Sequence, residues 1–397
     1  MRSSEFSSRS PGRLEPTTFV EHLWRSGRLE TKTDSGVGFV PDARPPSVPA
    51  RELVGDVLES LLRAERNLSQ LEGAAHRLEN PHLLVGIFKQ REAILSSRIE
   101  DTFASAEELA LFDYAPDSLK ERDQVREVRN YVRALEHGLA SDLPICLRLM
   151  REMHKILLRD TKRPGVAPGE FRQTQNAIGA GSSFSRAKFV PPPPQFVDPA
   201  MNELEQFLNN DDTELPRLVR FGLAHYQFEA IHPFLDGNGR LGRLLITLSI
   251  CRHGQLTQPL IYVSGYFEQH REEYCDLLYR VSTDGVWTEW LEFYLEAVAS
   301  QSKDALDRAD RLVGLQTDYH RRVREKRASA LLSDLVDRLF VSPSITVADA
   351  QRVLNCTPQT AGNHVRRLVQ KHILVEATGR RHGRVFVAPE ILDLIYE

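Results

Sequence analysis

Residues 232–243 read HPFLDGNGRLGR and hold the densest chemistry in this 397-residue chain. His232 is a side chain able to take a proton near neutral pH. Asp236 offers a hard carboxylate oxygen of the kind Mg²⁺ accepts beside phosphates. Gly237, Gly239 and Gly242 let backbone amides approach an anion closely. Arg240 and Arg243 stand three residues apart, on one face of a first helical turn. A helix dipole repels cations at its N-terminus, so two guanidiniums there make sense around a polyanion. These residue types together suit phosphoryl or nucleotidyl transfer, in which positioning and charge do most of the work.

Such a loop needs a helix on each side. Leu215, Leu218, Val219, Leu223 and Tyr226 form one apolar stripe before it, and an apolar run begins at Leu244 after it. Further helical spacing occurs over 51–78, 82–105 and 121–160, and from about Glu203 to about residue 327. Residues 164–199 break the pattern. They carry glycines 165, 169, 179 and 181, clustered serines and the run Pro191–Pro194, which predicts a long functional loop with a short hairpin. Residues 1–45 are rich in Ser, Gly, Pro and Asp and are expected as an irregular tail.

The stretch 232–243 resembles the Fic family motif HPFxDGNGRxxR at every specified position. That resemblance implies an all-α core with a short β-hairpin flap, and AMP transfer from Mg-ATP to a Ser, Thr or Tyr hydroxyl of a protein. It casts His232 as the base, Phe234 as an anchor for the loop and Asp236 as the Mg²⁺ ligand. Asn238 and the amides of Gly237 and Gly239 become the α-phosphate cradle, and Arg240 and Arg243 the β- and γ-phosphate contacts. The segment PGEFRQTQNAIGAG (168–181) resembles the flap that aligns a target by strand addition. Phe171, Arg172 and Ile178 are its expected docking residues, and Ala177 departs from the aromatic usual after Asn176. Tyr274 is placed beside adenine, although it also reads as a core aromatic; Cys275 replaces a frequent second tyrosine. Trp287 and Trp290 read as core.

Ser96 and Glu100, spaced i, i+4, resemble the family's inhibitory pattern [S/T]xxxE[G/N], with Asp101 in place of Gly or Asn. The implied role is charge competition, Glu100 pairing with Arg243 against the ATP γ-phosphate. The same site could run in reverse and remove AMP. It could also serve as a nucleotide sensor in a DNA-binding regulator. The complete motif favours the transferase.

The last segment carries two short helical patterns joined at Asn355-Cys356, then two alternating runs around GRRHGR. That order outlines a winged helix. Residues 363–384 hold Arg366, Arg367, Lys371, Arg380, Arg381 and Arg384 against Glu376. Nucleic-acid contact through 358–384 is one option, and a structural or protein-docking role is the favoured expectation.

The divisions expected are an irregular segment 1–45, a helical region with the inhibitory helix at 46–125, a catalytic core at 126–300, a connecting helix at 301–330 and a winged helix at 331–397. A net charge of −4 excludes a chain built as a whole to coat nucleic acid. Four cysteines without CxxC spacing exclude a disulfide framework or a zinc site. No run of about 18 apolar residues occurs, so a cytoplasmic protein without membrane contact is expected. Its expected partners are ATP and a target protein, and a homodimer is compatible with the reading.

Overall fold

Helical spacing of apolar residues dominates the chain, and the computed structural model follows it. The structure describes residues 3–25, 28–43, 50–76, 82–114, 122–161, 165–179, 186–210, 214–324 and 330–396. Two strands come first, β1 (Gly12–Arg25) and β2 (Arg28–Pro41). Then follow α1 (Ala50–Asp56), α2 (Leu58–Ala75), α3 (His82–Ile99), α4 (Ala106–Phe112), α5 (Arg122–Ala140) and α6 (Leu147–Leu157). Beyond the loop lie α7 (Val197–Asn209), α8 (Arg217–Ile231), α9 (Asn238–Arg252), α10 (Ser264–Gln269), α11 (Arg271–Asp284) and α12 (Trp287–Val323). The chain ends in α13 (Ala330–Val341), β3 (Ser344–Thr346), α14 (Val347–Leu354), α15 (Pro358–Gln370), β4 (Val375–Glu376), β5 (Val385–Val387) and α16 (Pro389–Tyr396). Among the described residues, no helix is long and apolar enough to cross a membrane.

The chain forms two discontinuous units, whereas the sequence reading divides it linearly. The first comprises 1–65, 134–253 and 269–299. Its centre is the pair α8 and α9, which are buried nearly all round. Helix α7 packs on α8, and α6 packs on α9. The expected irregular segment 1–45 is instead mostly a long antiparallel hairpin, with Thr18 opposite Ser35 and Gly12 opposite Pro41. Its cause was present in the alternation Thr31, Thr33, Ser35, Val37, Phe39, a period of two that places one set of side chains on one face. Phe39 is fully buried, and its N–H donates to Val190 C=O at 2.9 Å, tying the hairpin to the proline-rich loop.

The second unit comprises 66–133, 254–268 and 300–397. It contains both α3 and the C-terminal elements. Helix α13 packs on α3, and α16 packs on α3 and α4. The Tyr396 hydroxyl accepts from Ala106 N–H at 2.7 Å, and Arg308 donates to Leu394 C=O at 2.8 Å. Strands β3, β5 and β4 make an antiparallel sheet in that order beside α14 and α15. This is the element order of a winged helix, with 377–384 as its turn.

Candidate functional site

Helix α8 ends where His232 takes a left-handed conformation, φ 48° and ψ 60°, and caps the helix by donating its N–H to Phe228 C=O at 3.0 Å. A non-glycine residue held there is uncommon and turns the chain sharply. Gly237, φ 79°, then opens α9. The first intrahelical bond of α9 runs from Leu241 N–H to Gly237 C=O. The amides of residues 238–240 therefore precede the helical ladder, as the amides of any first turn do, and face the loop between the two helices. Gly242 leaves room for the Glu229 carboxylate, since a Cβ there would overlap Oε1 and lie 3.1 Å from the Phe228 ring.

The loop itself is held from inside. Phe234 is fully buried. Its ring stacks on that of His154 with centroids 3.7 Å apart and meets Phe171 at 5.2 Å. Asn238, expected at the phosphate, spends its side chain on Phe234: Oδ1 accepts from the Phe234 N–H and Nδ2 donates to the Phe234 C=O, both at 2.8 Å. What position 238 offers toward an anion is its backbone amide. Asn176 Nδ2 adds a bond to Phe234 C=O at 3.0 Å.

His154 was not singled out in the sequence. Its Nδ1 accepts from Gly169 N–H at 2.8 Å, so the proton sits on Nε2, which donates to Asp236 C=O at 2.9 Å. Burial pushes its pKa down to about 4, keeping the ring neutral and this tautomer fixed. The signal for it was a histidine inside the buried stripe Leu149, Met150, Met153, Leu157.

Arg172 was expected to face a target. It is buried, and it clamps the base of the loop: its Nε donates to His232 C=O at 2.9 Å and its guanidinium to Pro192 C=O at 2.6 Å. Its N–H donates to Pro233 C=O at 2.9 Å. Desolvation lowers its pKa to about 10, which leaves it a cation at neutral pH. Phe171 is likewise buried, under the Arg151 guanidinium and against Phe234. Ile178 makes an isolated antiparallel bridge with Phe189. Its N–H donates to Phe189 C=O at 2.8 Å, and its C=O accepts from Lys188 N–H at 2.9 Å, the start of a short hairpin. Gly181 and the serines at 182, 183 and 185 lie outside the described residues. Ala177, where an aromatic was expected, packs against Ala187 and Val190, as Phe19 does.

His232 Nδ1 lies 3.3 Å from Glu229 C=O and 3.9 Å from Glu229 Oε2. A proton on Nδ1 suits both oxygens, so the neutral ring carries its lone pair on Nε2. Glu229 is a second residue the sequence reading missed; its place three residues before His232, one turn back, was the available sign. Asp236 Oδ1 accepts from Gly237 N–H at 2.7 Å and lies 3.5 Å from Arg240 Nη2. Arg240 and Arg243 are each 1% exposed, so two cations are held nearly out of water beside the start of α9. No group of three or more His, Cys, Asp or Glu side chains suited to a metal exists among the described residues. Asp236 is thus a single carboxylate donor, which fits a cation that takes its remaining oxygens from phosphate and water.

Tyr274 is 3% exposed. Its O–H donates to His225 Nε2 at 2.8 Å, while His225 Nδ1 donates to Gly242 C=O at 3.2 Å. Its ring sits among His225, Trp290 and Phe293. The core-aromatic alternative is therefore the one its surroundings match, and Trp287 and Trp290 are buried as expected. Burial and the Arg243 charge push the His225 pKa down to about 3.

Ser96 is buried in α3, and Glu100 is exposed just past the helix end. Asp101 takes φ 55°, with Thr102 N–H donating to Ser97 C=O and Asp101 N–H to Arg98 C=O, both at 3.0 Å. This is a Schellman cap, whose left-handed position favours Gly, then Asn or Asp. The departure at 101 from Gly or Asn is a substitution within one conformational class.

Two family models match the chain, Fic/DOC family N-terminal over 58–140 and Fic/DOC family over 144–250. A "Protein adenylyltransferase Fic" of Culex quinquefasciatus is 34% identical over 142 residues, covering 36% of this chain and 25% of that protein. One of Drosophila melanogaster is 26% identical over 249 residues, covering 59% and 48%. The chain thus spans between a quarter and about half the length of these curated relatives. A Fic family protein of Desulfovibrio desulfuricans G20 superposes with TM-score 0.54 at 20% identity, over 87% of this chain and 98% of the other. Fic-1 of C. elegans superposes with TM-score 0.50 at 20% identity, over 66% and 75%. These structural likenesses speak to the fold.

Proposed function

We propose that the chain is a Fic/DOC family member acting as an auto-inhibited protein adenylyltransferase, moving AMP from Mg-ATP to a Ser, Thr or Tyr hydroxyl of a protein, itself included. The observation that carries this reading is the site's asymmetry: an imidazole whose Nδ1 faces two Glu229 oxygens, on the loop that leads into a helix start carrying two buried guanidiniums. A target hydroxyl would give its proton to His232 Nε2 as its oxygen bonds to the α-phosphorus. The bond from that phosphorus to the bridging oxygen then breaks, and pyrophosphate leaves with its charge opposite Arg240 and Arg243. The amides of 238–240 would hold the α-phosphate, that of Gly237 being taken by Asp236 Oδ1, and Glu229 and Arg172 would fix where the imidazole stands. Asp236 would hold Mg²⁺, which supplies charge neutralisation to the phosphates. Glu100 would restrain the reaction by competing with the γ-phosphate for Arg243. The curated relatives carry the name protein adenylyltransferase, which supports the transferred group.

The test is label transfer from α-labelled ATP to the chain. Glu100→Gly is expected to raise labelling and His232→Ala to abolish it. Equal labelling in all three proteins would sink the proposal.

A further inference from the structure

We propose that the face formed by α15 and the 379–384 turn binds double-stranded DNA, with α15 in the major groove and the turn on the phosphate backbone. The sequence alone favoured a structural or protein-docking role for this domain. The structure assigns that role to other faces of it. Helix α13 packs on α3, α16 on α3 and α4, and β5 on α4. Arg322 pairs with Glu390 at 2.8 Å, and Asp337 accepts from Gln316 at 2.6 Å and faces His320 at 2.8 Å. The apolar side of α15, Ala361, Val365 and Leu368, is buried in the domain's own core.

What remains outward is polar and basic. Gln359, Asn363, Arg366 and Gln370 are all exposed and spaced four, three and four residues apart, so they lie within one narrow stripe of α15. They are the side chains that make paired hydrogen bonds to base edges, Gln and Asn to adenine and Arg to guanine. Gln359 and Arg366 both donate to Asn363 Oδ1, at 3.4 and 3.1 Å, which aligns the three along the stripe. No aromatic or large aliphatic side chain interrupts it, and a protein hot spot would want one.

The turn adds charge. Arg380, Arg381, His382 and Arg384 are exposed. The acid of this segment, Glu376, is turned inward: it accepts from Thr378 N–H at 2.9 Å, Thr378 O–H at 2.6 Å and Gly379 N–H at 3.0 Å. That arrangement shapes the turn and keeps the carboxylate off its tip. A helix of 13 residues is about 20 Å long and fits the groove of a duplex. The chain is acidic overall, so binding through this face would be local and not general adhesion.

The experiment measures the full chain by fluorescence anisotropy against a 30-base-pair random-sequence duplex from 50 to 200 mM salt, then selects preferred sites from a random duplex pool. Measurable binding that weakens steeply with salt is expected. Removing three phosphate contacts in Arg380→Ala/Arg381→Ala/Arg384→Ala should reduce the slope of log K against log salt by roughly 3. Asn363→Ala, an exposed change, should keep random-duplex binding and lose the preference for a selected site. Thermal midpoints equal to the parent's establish that both variants fold. No duplex binding at 50 mM salt overturns the proposal. So does binding that neither variant alters, tighter binding of the matching single strand, or capture of a protein through Asn363 and Arg366 without duplex binding.

Discussion

Replacing His225 by Phe tests the buried geometry that couples α9 to α11. The ring accepts from the Tyr274 O–H and donates to Gly242 C=O, and burial holds its pKa near 3 against an ordinary 6.5. At neutral pH the variant leaves both partners without that bond, a loss of about 2 kcal/mol. The sign of the pH dependence follows from the depressed value. The unfolded chain protonates this histidine below about 6.5 while the native state resists until about 3, so its stabilisation is complete above 6.5 and is lost as pH falls. Between pH 7 and pH 5 that loss is about 2 kcal/mol. Phe does not titrate, so the stability gap between parent and variant should close almost completely over that interval. His154 titrates in both proteins and cancels from the difference. The chain's three tryptophans, 24, 287 and 290, all belong to the first unit, so urea unfolding followed by their fluorescence reports on it. A midpoint gap of roughly 0.7–1 M at pH 7 that vanishes at pH 5 is expected. A gap that stays constant across the interval refutes the buried, neutral state of His225.

Other expectations follow from contacts at the loop. His154→Phe keeps a ring against Phe234 and deletes the bonds to Gly169 and Asp236; self-labelling should drop about tenfold to a hundredfold with the far-UV spectrum unchanged. Arg172→Gln removes a buried cation that serves four backbone carbonyls, those of Thr174, Pro192, Ile231 and His232, and should lower stability by about 2–3 kcal/mol in the same urea assay. Gly242→Ala displaces the Glu229 carboxylate from its place near His232; labelling should drop roughly tenfold while the urea midpoint moves little.

The loop from His232 to Arg243 was legible because a glycine entry and paired arginines at fixed spacing are local, whereas the left-handed turn falls on a histidine and was not. Its supports were not legible. His154 and Arg172 reach it from 60 to 82 positions away in the sequence, through bonds to backbone carbonyls that no side-chain pattern announces. Arg172 reads as an exposed cation by type and is instead buried, because carbonyls of three separate segments converge on it. The N-terminal hairpin was hidden for a different reason. Its strands are rich in Thr, Ser, Gly and Asp, which composition assigns to loops, and their period of two is visible only once the β-branched positions are followed. Tyr274 was undecidable in sequence, since an aromatic one turn along a helix serves a core and a base pocket equally; its hydroxyl on His225 is what settles its place among buried rings.

Charge placement connects these supports to the proposed restraint. Arg240 stands in the first turn of α9, where the dipole opposes a cation by about 0.3–1 kcal/mol, Arg243 stands in the second, and burial of both adds a desolvation cost of several kcal/mol. Folding absorbs that cost through the clamps on Phe234, Asp236 and His232, so the cations are in place before an anion arrives. Glu100 and Asp101 follow the C-terminus of α3, where the dipole opposes acids by a similar amount. That helix end is closed by the backbone bonds of its Schellman cap. Removing the Glu100 charge therefore leaves the cap intact and relieves a local repulsion. A gain in labelling from Glu100→Gly would then report on the acid's role against nucleotide, since the backbone bonds that close α3 remain.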